Sequence, residues 1–290
     1  MGPFAAAGVV VLFVGFVLVS KLGLGNALAP MDLAAIRFAV AGILMAPVLF
    51  KHRLMGLRLG QACLLAGSGG LGFALFAYWG MSLAPANHGS ALIHGTLPLT
   101  TALVAGLVAG VRPTRLEAWS LGAASLGVVA FMATSLFRLG GGQLTGDLLL
   151  LTASLAWSAY GVLLRRWGPQ PFATSALTAV ISAAAFLPLY GLLGGGHLSA
   201  APLQEVLRQA VFQGVFIGVG SILVYSTSVA LNGASATALA ASTVPALTAV
   251  GAWLLLDERP TISEAVGLVM VTFGVMLGAI SKAKQRTVSD

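Results

Sequence analysis

Charge is what this chain has least of. Lys, Arg, Asp and Glu make up 8% of its 290 residues, against roughly 25% in an ordinary soluble domain. With 58% hydrophobic residues, it has too little polar side chain to coat a globule in water, which excludes a soluble fold and places it in a bilayer. Cysteine is nearly missing: Cys63 stands alone, which excludes an internal disulfide and a cysteine-based metal cluster and leaves the redox compartment unread. No His-Glu-x-x-His string occurs, and no metal or cofactor is expected. Linkers long enough to separate soluble domains are absent too, so the chain reads as one membrane domain.

What the chain does have is a succession of apolar stretches. Ten of them approach the roughly 20 residues that a spanning helix needs: 4–25, 33–50, 61–83, 88–111, 116–137, 147–164, 172–193, 210–230, 235–256 and 262–280. The breaks between them, such as "APAN", "VRPTR", "RLGGGQLTG" and "DERP", carry the Pro and Gly that stop helices. The first stretch lacks a basic flank and a small-x-small cleavage site, and nine similar segments follow it. It therefore reads as a span rather than a secretory signal.

The cations give an orientation. With loops assigned alternately to two sides, one side holds Lys51, Arg53, Arg58, Arg112, Arg115, Arg165, Arg166, Lys282, Lys284 and Arg286, and the other only Arg138, Arg208 and Arg259. Lys and Arg stay cytoplasmic during insertion, so both termini are expected in the cytoplasm. The net charge of +7 is then mostly topological, and no nucleic-acid partner is expected.

"GTLPLTTALVAGLVAGVRPTRLEA" at 95–118 returns as "STVPALTAVGAWLLLDERPTISEA" at 242–265. A shift of 147 residues matches Ala91–Val128 to Ala238–Val275 at 16 of 38 positions, where chance would give about 4. Pro98 falls on Pro245, Arg112-Pro113-Thr114 on Arg259-Pro260-Thr261, Glu117 on Glu264, Gly127 on Gly274 and Tyr78 on Tyr225. The front of each half aligns more loosely: "FVGFVLVSK" at 13–21 with "WSAYGVLLR" at 157–165, and, after a three-residue slip, Pro30 and Pro47 with Pro171 and Pro188. Each half, 1–137 and 147–280, thus holds five spans, and a cytoplasmic tail covers 281–290. Five is odd, so the second copy enters the membrane from the opposite side. Inverted repeats of this kind exchange conformations and move access around a midplane site, which points to a transporter.

The five-plus-five arrangement, the aromatic-small opening of each half, the mid-helix Pro and the "DERPT…E…G" ending resemble the EamA-type branch of the drug/metabolite transporter superfamily, over nearly all of the chain. The "AWSAYG" of the sixth span, with Trp157 and Tyr160, looks most like the bacterial amino-acid exporters of the YddG type. The resemblance implies an all-α integral membrane protein of ten transmembrane helices around a central cavity, lined by the first, third, fourth, sixth, eighth and ninth spans. It also implies a multi-pass protein of the bacterial inner membrane, exporting amino acids with aromatic or large neutral side chains preferred. The first repeat departs from the family's acidic ending, with Gly110-Val111 where the second has Asp257-Glu258.

Candidate substrate contacts are the aromatics Phe16, Tyr78, Trp157, Tyr160 and Tyr225, which offer ring faces and polar tips, together with His94 and Ser242. His88, Ala91, Gly95 and Pro98 form a stripe on the fourth span, and Ser235, Ala238, Ser242 and Pro245 its equivalent on the ninth; small residues of this kind also let helices approach closely. Trp119, Trp167 and Trp253 suit the membrane interface. His88 reads as structural or as a polar gate group. Pro98 and Pro245 would weaken the backbone ladder near the midplane and are candidate gating hinges. Glu117 and Glu264 fall at helix starts and read as caps. No acid lies mid-span, and intramembrane acids are the usual proton relays, so facilitated or only weakly proton-linked transport is expected. Lys21 and Arg37 lie near the outer halves of their spans, able to snorkel or pair with Asp32; turned inward, they would suit a phosphorylated or other anionic metabolite. A remoter reading, an intramembrane hydrolase, rests only on short strings around Ser68, His88 and Ser90, and no catalytic residue is assigned. The expected partners are a small-molecule substrate and the lipid bilayer, and a monomer suffices because the duplication supplies the pseudo-symmetric half.

Overall fold

No water reaches peptide groups inside a bilayer, so apolar stretches of this length close their own hydrogen bonds as helices. The computed structural model describes residues 1–25, 28–110, 113–137, 141–167 and 170–289, and no strand occurs among them. Val111, Arg112 and Arg138, and the side chains of Ser235, Lys282, Lys284 and Arg286, lie outside the described residues. Among the described residues nine helices are long and apolar enough to cross a membrane: α1 Gly2–Gly25, α2 Pro30–His52, α3 Leu59–Leu83, α4 Ala86–Val108, α5 Arg115–Ala133, α6 Gly142–Trp167, α7 Pro171–Leu192, α8 Leu203–Asn232 and α9 Ala236–Leu256. A shorter apolar helix, α10 Ile262–Gly278, follows and runs on to Ser289. These ten helices correspond to the ten apolar stretches of the sequence.

The repeated sequence does the same local work twice. Thr114 N–H donates to Glu117 Oε2 (2.9 Å) and Thr261 N–H to Glu264 Oε2 (2.8 Å), while each Thr hydroxyl accepts from the Glu N–H. These are capping boxes, which satisfy N–H groups that a helix start leaves unpaired. Gly110 and its repeat mate Asp257 end the preceding helices with φ of 66° and 54°. The departure of Gly110 from the acidic ending therefore preserves the left-handed helix stop. The turn from α8 to α9 keeps helical geometry while reversing the chain. Ser228 and Thr237 hydroxyls lie 2.9 Å apart, where a straight helix would separate these positions by roughly 13 Å.

Helix packing follows the repeat. Moving every residue by one repeat turns the α1–α8 contact into α6–α3, α1–α9 into α6–α4 and α2–α8 into α7–α3, and it turns α2–α7 and α5–α10 into themselves; all of these contacts are present. The first helix of each half thus packs on the third and fourth of the other.

The α5–α10 pair shows why small residues recur at fixed positions. A Cβ on Gly127 would stand 2.6 Å from Val271 N and 2.9 Å from Gly267 O; one on Gly274 would stand 2.7 Å from Ala124 N and 2.9 Å from Ser120 O. Because 127 pairs with 274 and 120 with 267 in the repeat, each contact is the image of the other, and the two helices run antiparallel. Ser120 Oγ–H closes the crossing by donating to Gly274 O at 2.6 Å. Backbones this close leave no room for a side chain. Gly127→Val is expected to destabilise the protein by about 1–3 kcal/mol through overpacking. Gly122→Ala, on the same helix with open space around its Cβ, should be neutral or slightly stabilising in the same thermal-unfolding measurement.

Candidate functional site

Two of the three π-helical stretches occupy matching places in the repeat: Gly67–Gly72 in α3 and Ala210–Gly220 in α8. A π turn widens the helix and re-aims its side chains, and such turns gather at functional sites. Here they meet across a cavity of about 40 Å³, lined by Gly70 of α3 and Gly218 of α8, by Arg37 of α2, by Trp157 and Tyr160 of α6, and by Thr178 of α7. Its lining comes from α2, α3, α6, α7 and α8. Of the spans expected to line a central cavity, α3, α6 and α8 line this pocket, and α2 and α7 join them. A volume of 40 Å³ is little more than the room of one water molecule.

Arg37 is the charge in this site. It is 8% exposed, its guanidinium lies 5.8 Å from the Phe16 ring centroid and 5.6 Å from that of Phe73, and it also meets the Tyr78 hydroxyl. Its Nη1 is buried with no hydrogen-bond partner among the described residues. The expected pairing with Asp32 does not form. Asp32 accepts instead from Ala29 N–H at 2.7 Å, Tyr190 Oη–H at 2.5 Å and His197 N–H at 3.1 Å, so its carboxylate is occupied in tying α2 to α7. Lys21 is not in the cavity either; its Nζ donates to the Met81 and Ala84 carbonyls at 2.8 and 2.6 Å.

Of the sequence candidates, Trp157 and Tyr160 line the cavity. Their rings lie 5.4 Å apart, Trp157 meets Phe73 at 4.9 Å, and the Tyr160 hydroxyl faces Ser175 and Thr178. Phe16 and Tyr78 sit behind the cavity: both are buried, and the Tyr78 hydroxyl donates to Gln213 Oε1 at 3.2 Å. His94 stacks on Phe13 at 4.9 Å. It and Phe16, 6.4 Å away, form an aromatic wall outside the cavity. Tyr225 is 42% exposed and lies one turn beyond Ser221, a cavity residue of α8, so it stands apart from the aromatic group. Ser242 is also apart, its hydroxyl donating to Leu239 O at 2.6 Å. Pro98 and Pro245 each occupy the first turn of a new helical segment, after Thr96 and Thr243. The proline's missing N–H is unneeded there, so the break lies before each proline and not at a bond it removes.

A polar group gathers at the starts of α4, α6 and α10. His88 of α4 places Nδ1 2.7 Å from Asp147 Oδ1 of α6 and Nε2 3.1 Å from Glu264 Oε1 of α10. Asn87 Nδ2–H donates to the second Glu264 oxygen at 3.2 Å, Gln143 reaches His88 Nε2 at 3.3 Å, and the Phe131 ring covers the imidazole at 4.6 Å. His88 and Asp147 are 0% exposed. Glu264 is therefore more than a cap, and Asp147, near the start of its helix in sequence, is fully buried. Asp147 opens the apolar stretch 147–164 and is the sixth residue of α6, and no local pattern signals its burial.

Residues 144–279 match the EamA-like transporter family. The match covers the second repeat, and together with the relative below it points to a membrane transporter. A protein of Bacillus subtilis (strain 168) named as the uncharacterized transporter YyaM is 26% identical over 210 residues, which cover 71% of this chain and 68% of that one. A crystal structure 17% identical superposes with a TM-score of 0.66 over 98% of each chain, a likeness of fold alone.

The positions of Lys21 and Arg37 separate their roles. Lys21→Ala leaves two main-chain acceptors without their donor, at a cost of about 1–3 kcal/mol. It is expected to lower the melting temperature while leaving ligand-induced thermal stabilisation in place.

Proposed function

We propose that the chain moves small amphipathic metabolites carrying a carboxylate, amino acids with aromatic or large neutral side chains first among them, outward across the bacterial inner membrane by alternating access. The observation that carries this reading is Arg37, a buried guanidinium with an unsatisfied nitrogen at the edge of a cavity walled by Trp157 and Tyr160. A buried cation needs an anion or several acceptors to offset its desolvation, and a planar guanidinium suits a carboxylate. The ring faces beside it suit an apolar or aromatic side chain, and the hydroxyls of Ser175 and Thr178 offer acceptors for an ammonium.

The repeat supports the alternating-access part. The 141-residue offset that pairs Pro30 with Pro171 and Pro47 with Pro188 also pairs Arg37 with Thr178 and Phe38 with Ala179. All four of these last residues line the cavity, so it sits between the two halves, where an inverted repeat places its site. One chain holds both halves, which suits a monomer, and the cation distribution keeps both termini in the cytoplasm.

The second reading, a phosphorylated-metabolite carrier using Lys21 with Arg37, is disfavoured because the Lys21 ammonium is held by the Met81 and Ala84 carbonyls. A dianionic phosphate would face one cation where it calls for two.

The test is counterflow of a radiolabelled aromatic amino acid in liposomes. Arg37→Gln should weaken uptake or competition by about 10- to 100-fold, the loss of one charge-assisted contact, and Trp157→Ala should weaken it as well. Tryptophan amide, which lacks the carboxylate, should compete poorly with wild type. Undiminished exchange in Arg37→Gln would refute the carboxylate anchor, and competition by sugar phosphates alone would favour the second reading.

A further inference from the structure

We propose that the cavity beside Arg37 prefers organic monoanions: 2-hydroxy and 2-oxo carboxylic acids with aromatic or large apolar side chains are held more tightly than the amino acids of the same side chain. This preference rests on the carboxylate anchor at Arg37 proposed above and names the class of ligand that suits it best.

Two residues that line the cavity each hold a buried polar atom with no hydrogen-bond partner among the described residues, Arg37 Nη1 and Thr178 Oγ1. Both residues are 8% exposed. They are repeat mates, so the two halves bring them to matching places in the backbone. The Tyr160 hydroxyl faces Thr178 without closing a hydrogen bond to its oxygen. A guanidinium N–H can only donate, whereas a hydroxyl both donates and accepts. A carboxylate therefore answers Arg37, and an oxygen on the next carbon, carbonyl or hydroxyl, answers Thr178. The Trp157 and Tyr160 rings are left for the side chain.

An ammonium on that carbon would need an acid, and the cavity has none to offer. Arg37 is the one charged residue among those described as lining it. The chain has eight Asp and Glu in all, and those described are engaged elsewhere. Asp32 is tied to Tyr190 and His197, Glu205 to Arg208 at 2.5 Å, and Asp147 and Glu264 to His88. Glu117 and Glu258 hold main-chain N–H groups at helix starts, and Asp257 is 90% exposed beside Arg259. Asp290 lies outside the described residues.

A zwitterion bound at Arg37 thus leaves one positive charge without a counter-ion in a dry interior, where neutral hydroxyls replace only part of its hydration. A monoanion leaves the pair neutral. On the export reading, a monoanion leaving a negative interior also moves with the membrane potential, so its passage calls for no coupled ion.

Titration calorimetry of the full chain in lipid nanodiscs near neutral pH, with four ligands that share one ring, tests this. Phenyllactate should bind about tenfold or more tightly than phenylalanine, with 3-phenylpropionate between them and phenethylamine failing to bind. Thr178→Val should bring phenyllactate down to the level of 3-phenylpropionate, a loss of about 3- to 10-fold. The same variant should leave 3-phenylpropionate unchanged, which also shows that it is folded, and Thr178→Ser should keep the wild-type order. Arg37→Gln should weaken all three carboxylates by about 10- to 100-fold.

Phenylalanine binding as tightly as phenyllactate, with both weakened in Arg37→Gln, would overturn the monoanion preference and leave the carboxylate anchor standing. Carboxylates that bind undiminished in Arg37→Gln would overturn the anchor, and the preference with it. A Thr178→Val variant that keeps phenyllactate and 3-phenylpropionate as far apart as in wild type would overturn the role of Thr178. No binding of phenyllactate, or tighter binding of phenethylamine, would overturn the whole proposal.

Discussion

A charge buried in a dry interior costs several kcal/mol unless another group answers it, and a chain this poor in charge reveals its design in how each buried one is answered. Lys21 and Asp32 are answered largely by main chain: two carbonyls for the ammonium, two N–H groups and a tyrosine hydroxyl for the carboxylate. They fasten loops and helix ends. His88, Asp147 and Glu264 answer one another across three helices, which fastens the two halves. Arg37 is answered only by ring faces and a tyrosine hydroxyl, which leaves a nitrogen free beside the cavity. The first kind fixes local structure, the second joins helices of the two halves, and the third is where an anion from outside the protein fits.

The repeat sets where these charges can lie. Because the first helix of each half packs on the third and fourth of the other, the π-helical stretches of α3 and α8 meet, and the space they widen falls between the halves. A fully symmetric cavity would bind a symmetric ligand. This one carries Arg37 on one side and Thr178 at the matching place on the other. This difference in side-chain chemistry, placed where the backbone is repeated, gives the cavity a charged end and a neutral end.

Much of the fold was legible because the bilayer leaves few options: apolar runs of spanning length must be helices, and the 147-residue repeat announced which helices correspond. The capping boxes at Thr114 and Thr261 could be read in "RPT…E". The cavity was less legible. Trp157 and Tyr160 were found by their depth in the sixth span, but Phe16 and Tyr78 have the same signature and lie behind Arg37 instead, because helix rotation decides which face of a uniformly apolar helix turns inward. Arg37 was placed near its salt-bridge partner by sequence distance, yet Asp32 is already occupied by α7 and the His197 backbone, contacts more than 150 residues away in sequence. His88 reads as structural or as a polar gate group and Glu264 as a cap; that the two meet depends on α10 returning to the start of α4, which no local pattern records.

The two ends of the molecule are closed by different means, and the repeat makes the difference visible. Glu264 caps its helix and meets His88, whereas its mate Glu117 caps its helix with Thr114, is half-buried and meets no histidine among the described residues. The position matching His88 is Ser235, and the one matching Asp147 in the looser frontal alignment is Pro3; neither ionises. The matching positions of the other half therefore offer neither the base nor the second acid. If the backbone can adopt either of two mirrored arrangements at similar cost, as an exchange between repeats implies, these side chains are what separate the two in energy. One end of the repeat thus holds a buried ionic network joining α4, α6 and α10, and the matching positions at the other end do not ionise. The side chains that break the repeat set the two ends apart, while the backbone that carries them is repeated.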